Sequence, residues 1–175
     1  NLLEIFKETE NRIRAMALVH EKLYQGKDLS RVDLKDYLEG LLHLIARSYG
    51  DASQEVTLDT HMDSVSTLID HAIPCGLLVN ELISNCFKHA FTPGQKGKIS
   101  VGLGIDDEGE IKITVADNGI GMPVGFDYRQ AGTFGLESAV ALAEHQLLGT
   151  IDLVPTDKGT TFQVRFKETG YKERI

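Results

Sequence analysis

The spacing of hydrophobic residues changes character along the chain. Phe6, Ile13, Met16 and Leu23, with Thr9 and His20 between them, recur at alternating spacings of three and four. That is the seam of a coiled coil or helical hairpin, and it asks for a partner helix. The stretch QGKDLSRVD breaks the pattern. Asp33 then stands where an N-cap belongs, ahead of a second helix through Tyr37, Leu41, Ile45 and Tyr49 that Gly50 closes. Further on the rhythm shortens to two: Val56, Leu58 and Met62, then Ile99 to Ile105, then Ile111 to Val115 predict strands, with the turn-like DDEGE joining the last pair as a hairpin. A helix over about 136–148 precedes two short strands, around Ile151 and Leu153 and around Phe162, Val164 and Phe166. Pro74 suits the first turn of another helix, which runs through VNELISNCFKHAF. At about 100° per residue its Glu81, Asn85 and Lys88 share an arc of roughly 60°, with Val79, Leu82, Ile83, Cys86 and Phe87 opposite. The pattern predicts an α/β layer domain from about residue 30, preceded by one helix with an exposed seam.

A length of 175 residues with 42% hydrophobic composition can bury the core of one domain, or of one domain with an appendage. A net charge of -8 and a pI near 5.2, without a basic stripe, exclude a general nucleic-acid binder. Cys75 and Cys86 lack zinc-like spacing and read as reduced core thiols, which fits a reducing compartment. The sequence holds no run of eighteen apolar residues and no signal-peptide layout. A cytoplasmic location without membrane contact by this chain is expected, whether the parent protein is soluble or anchored elsewhere.

Two readings fit the stripe of Glu81, Asn85 and Lys88. It is the wet face of an ordinary amphipathic helix, or it is a site for a magnesium-bound polyphosphate. In the second case Asn offers a carbonyl oxygen to a hard cation, Lys a point charge to phosphate and Glu a proton acceptor. Two glycine-bearing loops favour the second reading. VADNGIGMP follows an alternating strand, so Asp117 sits at a strand end and Gly119 and Gly121 let the backbone turn sharply against a ligand. AGTFGLESA opens a helix, whose first amides can receive phosphate. Each loop alone is a common turn, and neither matches the Walker or dinucleotide pattern. Their order and combination carry the signal.

The ordered set NELISNCFKHAF, DNGIGMP, GTFGLESA and KGTTFQVRF resembles the N, G1 and G2 boxes and the closing Thr-bearing strand of the GHKL nucleotide-binding fold. The upstream NRIRAMALVHEKLYQGKDLSRVDLKDYL resembles the second helix of the dimerisation and phosphotransfer hairpin in the HWE-related subclass of sensor histidine kinases. The resemblance covers essentially the whole chain. It implies an α+β fold, a two-layer α/β sandwich with a mixed sheet covered by helices on one face, preceded by a long helix. Residues 1–29 would be part of the hairpin and residues 30–175 the ATP-binding catalytic domain.

Carried over position by position, the resemblance implies that Asn85 coordinates magnesium, Lys88 contacts ATP phosphates, Glu81 polarises the attacking nucleophile and His89 lies near phosphate or ribose. Asp117 would accept the adenine amino hydrogen, with Thr160 supporting it through water. Gly119 and Gly121 would admit adenine against the backbone. Gly132, Thr133, Gly135 and Leu136 would bind the phosphate side beneath a lid of about nine residues between Met122 and Gly132, which lacks a phenylalanine-rich box. The family's acceptor His lies on a preceding helix in a pattern like HHRVKNN that is absent here, so the chain is expected to be truncated before the acceptor. His20 is read as a packed seam residue that sets register. The implied parent is a homodimer that moves the γ-phosphoryl of ATP to histidine and on to the receiver domain of a response regulator. Nucleotide binding and slow hydrolysis are expected of this chain, and transfer within it is not. An anti-sigma-factor-type serine kinase shares the nucleotide boxes but lacks the helical seam. A non-catalytic interaction module that keeps the fold and a mechanochemical GHKL ATPase are further alternatives.

Overall fold

The computed structural model describes residues 2–26, 28–50, 55–123, 125–130, 132 and 134–169. In chain order the strands are β1 (Arg31–Asp33), β2 (Val56–Met62), β3 (Ser66–Leu68), β4 (Gly97–Ile105), β5 (Ile111–Asp117), β6 (Thr150–Leu153) and β7 (Thr161–Phe166). Five of them form a mixed sheet in the order β2-β4-β5-β7-β6, with β2 and β4 parallel and the other neighbours antiparallel. The alternation predicted from sequence sets its two faces. Register aligns Leu103, Ile113, Val164 and Ile151 in one row and Val101, Val115, Phe162 and Leu153 in the next. Except for the half-buried Leu153 these side chains are buried, whereas Thr114, Gln163 and Arg165 on the opposite face stay partly open to solvent.

Among the described residues the main α-helices are α1 (Leu2–Gln25), α2 (Leu34–Tyr49), α3 (Ile69–Asn85) and α4 (Phe134–Ala141). A wide π turn over Cys86–Ala90 continues α3, and another over Leu142–Gln146 continues α4. The helix α3 packs between α2 and α4, and α1 lies against α2 and α3. Asp33 caps α2 as expected, accepting from the backbone N–H of Lys35 at 3.0 Å and of Asp36 at 3.4 Å, while the Ser64 hydroxyl donates to its other oxygen at 2.8 Å.

Pro74 does not lie in the first turn of its helix, because α3 begins at Ile69. The reason is a two-stranded antiparallel sheet of β1 and β3 that starts α2 and α3 side by side. Leu34 N donates to Val65 O at 2.8 Å and Ile69 N to Ser30 O at 3.1 Å, locking both starts. Strands of three residues are too short to leave a readable period.

Three helices meet at one hydroxyl. Tyr37 on α2 is fully buried and donates to the backbone carbonyl of Ala15 on α1 at 3.0 Å. It passes over Gly76 on α3, where a Cβ would stand 1.9 Å from the Tyr37 oxygen. Burial pushes the phenol's pKa upward, so it remains a neutral donor. The face of α1 turned to the body buries Asn11, Ala15 and Val19. Most of the predicted seam points the other way: Phe6, Ile13 and Met16 are 65%, 61% and 43% exposed, whereas Leu23 packs against the core. His20, too, is exposed rather than packed. Among the described residues no helix is long and apolar enough to cross a membrane.

Gly76→Ala should lower unfolding stability in a urea titration by about 2 kcal/mol, because overpacking against Tyr37 outweighs the roughly 1 kcal/mol by which Ala favours a helix. Adding Tyr37→Phe should recover part of that loss; a stabilised Gly76→Ala would show that the helices do not meet this closely.

Candidate functional site

The inward rhythm of β5 runs Ile111, Ile113, Val115 and then Asp117, so the strand delivers a carboxylate to the buried face. Asp117 is 8% exposed. Its Oδ1 accepts from Gly119 N at 2.9 Å and Thr160 N at 3.3 Å, and its Oδ2 lies 3.7 Å from Cys86 Sγ. Burial, then the neighbouring carboxylate, push the Cys86 thiol well up, which keeps it a neutral S–H donor. Two glycines allow this convergence. A Cβ at Gly119 would stand 2.0 Å from Ala90 O, and one at Gly159, where φ is +77°, would stand 1.9 Å from Asp117 O. With no side chain in the way, Ile120 N donates to Ala90 O at 2.9 Å and Asp117 N to Thr160 O at 2.8 Å.

Beside this knot lies a cavity of about 370 Å³, within the usual range for small-molecule sites. The α3 end and its π turn supply Leu82, Asn85, Cys86, His89 and Ala90, while β5 and β7 supply Val115, Asp117, Thr160 and Phe162. The remaining wall is Leu136 with the loop residues Ile120, Gly121, Met122, Pro123 and Phe126. It is an apolar slot with one buried carboxylate. The loop's far end is fastened outside the slot: Tyr128 donates its hydroxyl to Ile151 O at 2.9 Å and meets the Phe162 ring edge-on, while Arg129 pairs with Glu144.

The other end of the site lies along α3. Glu81 is 5% exposed, and its Oε1 accepts from Arg12 Nε of α1 at 2.6 Å and from Asn80 Nδ2 at 3.5 Å. A Cβ at Gly135 would stand 3.2 Å from Glu81 Oε2 and 3.4 Å from Asn85 Oδ1, so the start of α4 closes directly over both side chains. Asn85 Nδ2 is buried without a hydrogen-bond partner. Its amide oxygen and the Glu81 carboxylate are the hard-cation donors here, and a polar atom so placed fits a site completed by a ligand. Among the described residues no three His, Cys, Asp or Glu side chains gather to hold a metal by themselves.

The structure therefore brings Asn85, His89, Asp117, Gly121, Leu136 and Thr160 to one cavity, with Glu81, Gly119 and Gly135 packed immediately behind it. Lys88 is not among the lining residues; it pairs with Glu8 of α1. The expected arc assumed α-helical rotation through Lys88, but the π turn beginning at Cys86 ends that regularity. The stripe is also not a wet face, since Glu81 is buried under α1. Gly132 has φ +62° with open space around it, and Thr133 lies outside the described residues. Sequence reasoning missed Gly159, although it stands beside Thr160 in KGTTFQVRF, and missed Phe126, the one phenylalanine of the expected lid. It also took Cys86 for core alone.

Residues 70–170 match the family described as histidine kinase-, DNA gyrase B-, and HSP90-like ATPase, and residues 1–49 match a model described as histidine kinase. The blue-light-activated histidine kinase 2 of Erythrobacter litoralis is 24% identical over 74% of this chain and 38% of its own length. The sensor histidine kinase PdtaS of Mycobacterium tuberculosis is 23% identical over 93% of this chain and 32% of its own. The chain thus spans about a third of the length of these curated relatives. The solved histidine kinase domain of the Erythrobacter litoralis EL346 blue-light activated histidine kinase superposes with a TM-score of 0.81 at 21% identity, covering 92% of this chain and 75% of that one. The catalytic domain of histidine kinase ThkA gives 0.66 at 16% identity over 79% of this chain and 96% of that one. With its mixed sheet, its buried strand-end carboxylate and both family models in sequence order, the chain belongs to the histidine kinase branch of the histidine kinase-, DNA gyrase B- and HSP90-like ATPases.

Proposed function

We propose that the cavity binds the adenine of ATP and that this chain is the catalytic part of a two-component sensor histidine kinase. The observation that carries the reading is the bonding of Asp117. Both backbone donors go to Oδ1, so Oδ2, with only the weak Cys86 thiol close by, keeps acceptor capacity for an exocyclic amino group in the slot. Apolar walls from Leu82, Val115, Met122 and Phe162 suit the faces of a purine. Thr160 lies beside the carboxylate on the same wall, in reach of a water-mediated contact.

The phosphates would run toward Asn85 and the start of α4, where Gly135 and Leu136 would offer backbone amides. Asn85 would hold magnesium through its carbonyl oxygen. So sparse a set of protein donors would suit a metal that is held mainly by phosphate and water. When bound, the metal neutralises charge that develops on the phosphoryl oxygens. His89 stands at the rim for ribose or phosphate. Lys88 supplies a mobile cation on the same turn, and Glu81 a carboxylate able to orient and deprotonate an acceptor imidazole. That imidazole would come from outside this chain. The γ-phosphoryl would pass to it and then to an Asp of a response regulator, within a homodimer held by the exposed seam of α1. We place the boundary between the hairpin part, 1–29, and the nucleotide-binding domain, 30–175, at the polar break before β1: α2 adds Leu34, Leu38, Leu41 and Ile45 to the core of the sheet, to which α1 adds Ala15 and Val19 from one face only.

Calorimetric titration with a slowly hydrolysed ATP analogue and magnesium should give saturable binding. Asp117→Asn should abolish it while the fold survives, since an amide oxygen can still accept from Gly119 and Thr160 but an NH₂ then faces the purine amino group, donor against donor. Failure of a folded wild-type chain to bind would overturn the assignment.

Asn85→Ala should leave adenosine binding intact and make binding of the triphosphate insensitive to magnesium. A magnesium dependence that persists in this variant would move the metal to other residues.

A further inference from the structure

The helix α1 meets the site's helix with opposite charge at two places. Arg12 reaches Glu81, and Glu8, one helical turn earlier, reaches Lys88. The order reverses, from Glu8 to Arg12 on α1 against Lys88 to Glu81 on α3, so the helices run antiparallel along this contact. The contact is seated rather than incidental. Arg12 lies on the face that buries Asn11, Ala15 and Val19, and the Glu81 carboxylate raises the pKa of the Arg12 guanidinium. The Glu8–Lys88 pair is looser, its side chains 31% and 28% exposed.

We infer that Glu8 is a positioning residue for the phosphate end of the site: it holds the Lys88 ammonium against α1, so that a bound phosphate chain and α1 compete for the same cation. This rests on the nucleotide reading above. A lysine ammonium is a compact charge on a flexible stem, and rotation of that stem exchanges one oxygen partner for another. While Lys88 pairs with Glu8 its charge is spent on a carboxylate, and the triphosphate must displace that partner. Adenosine asks nothing of Lys88. The looser of the two contacts therefore carries the competition, and the more enclosed Arg12–Glu81 pair keeps α1 in place while it happens. The consequence is reciprocal by linkage: whatever strengthens the seating of α1 weakens triphosphate binding, and a bound triphosphate loosens the α1 contact.

The test uses the full chain, calorimetry with adenosine and with the imido analogue of ATP plus magnesium, and four proteins: wild type, Glu8→Gln, Lys88→Ala and the double variant. Glu8→Gln is nearly isosteric on a partly exposed helix, and thermal melts check that it folds. Exposed ion pairs are weak, so Glu8→Gln should tighten the triphosphate analogue by about two- to fivefold and leave adenosine unchanged. In the Lys88→Ala background the same substitution should have no effect. A gain that persists without Lys88 would reduce Glu8 to a general repulsion of phosphate and overturn the competition. So would triphosphate binding indifferent to Glu8 in the presence of Lys88. If neither wild type nor Glu8→Gln binds any nucleotide, the nucleotide site itself fails, a result separable from the other two.

Discussion

A carboxylate at an inward-facing strand position has to be satisfied before a sheet can close over it, and Asp117 imposes that requirement on every segment around it. Burying an ionised group without partners costs several kcal/mol, more than a domain of this size can spare. Satisfying Oδ1 draws in the backbone of Gly119 and Thr160. For those N–H groups to arrive, the turn before β7 must cross Asp117 O and the loop after β5 must touch Ala90, and only glycine fits at 159 and 119. The end of α3, the end of β5 and the start of β7 are thus tied into one knot. The cavity is what remains beside it.

A second constraint comes from α3, which is buried almost all round although it carries Glu81 and Asn80. The sheet takes its apolar side, leaving the polar side for α1 and α4. Glu81 is the buried member of its pair, and losing Arg12 would leave that carboxylate without its cation, so Arg12 is a requirement of the fold. The helix α1 consequently has two faces with different duties. One, through Ala15, Val19 and Arg12, belongs to the body; the other, through Phe6, Ile13 and Met16, is left outward.

What was legible in the sequence follows the length and regularity of each pattern. The four longer strands of the main sheet, the Asp33 cap and the outward seam were readable because alternation over five or more residues, a capping carboxylate and a heptad rhythm each have one physical meaning. Asp117 was readable as the end of a strand; that it is the next inward step of β5 came from the structure. The β1 and β3 pair was not, since three residues show no period, and without it the start of α3 was misplaced at Pro74. The position of Lys88 was lost to the π turn, a backbone irregularity that side-chain spacing does not announce. The pairing of Glu8 and Arg12 with α3 was invisible for a different reason: it joins residues 80 and 69 positions apart, and a polar face reads the same whether water or another helix covers it.

These differences sort the site into two halves with unequal preparation. At the Asp117 end the backbone N–H groups of Asp117, Gly119, Ile120 and Thr160 are already bonded, and Gly119 and Gly159 leave little slack, so recognition of a base would require little rearrangement there. At the Glu81 end both charged groups already have partners on α1, and Asn85 Nδ2 has none. A ligand would meet the first half as a finished surface and the second as one it must compete for. Under the proposed function this division separates binding from transfer. A base can dock whatever α1 is doing, whereas Glu81 and Lys88 become available to a phosphoryl group only as far as α1 gives them up. A kinase built this way would hold nucleotide while waiting, with α1 controlling the groups that transfer needs.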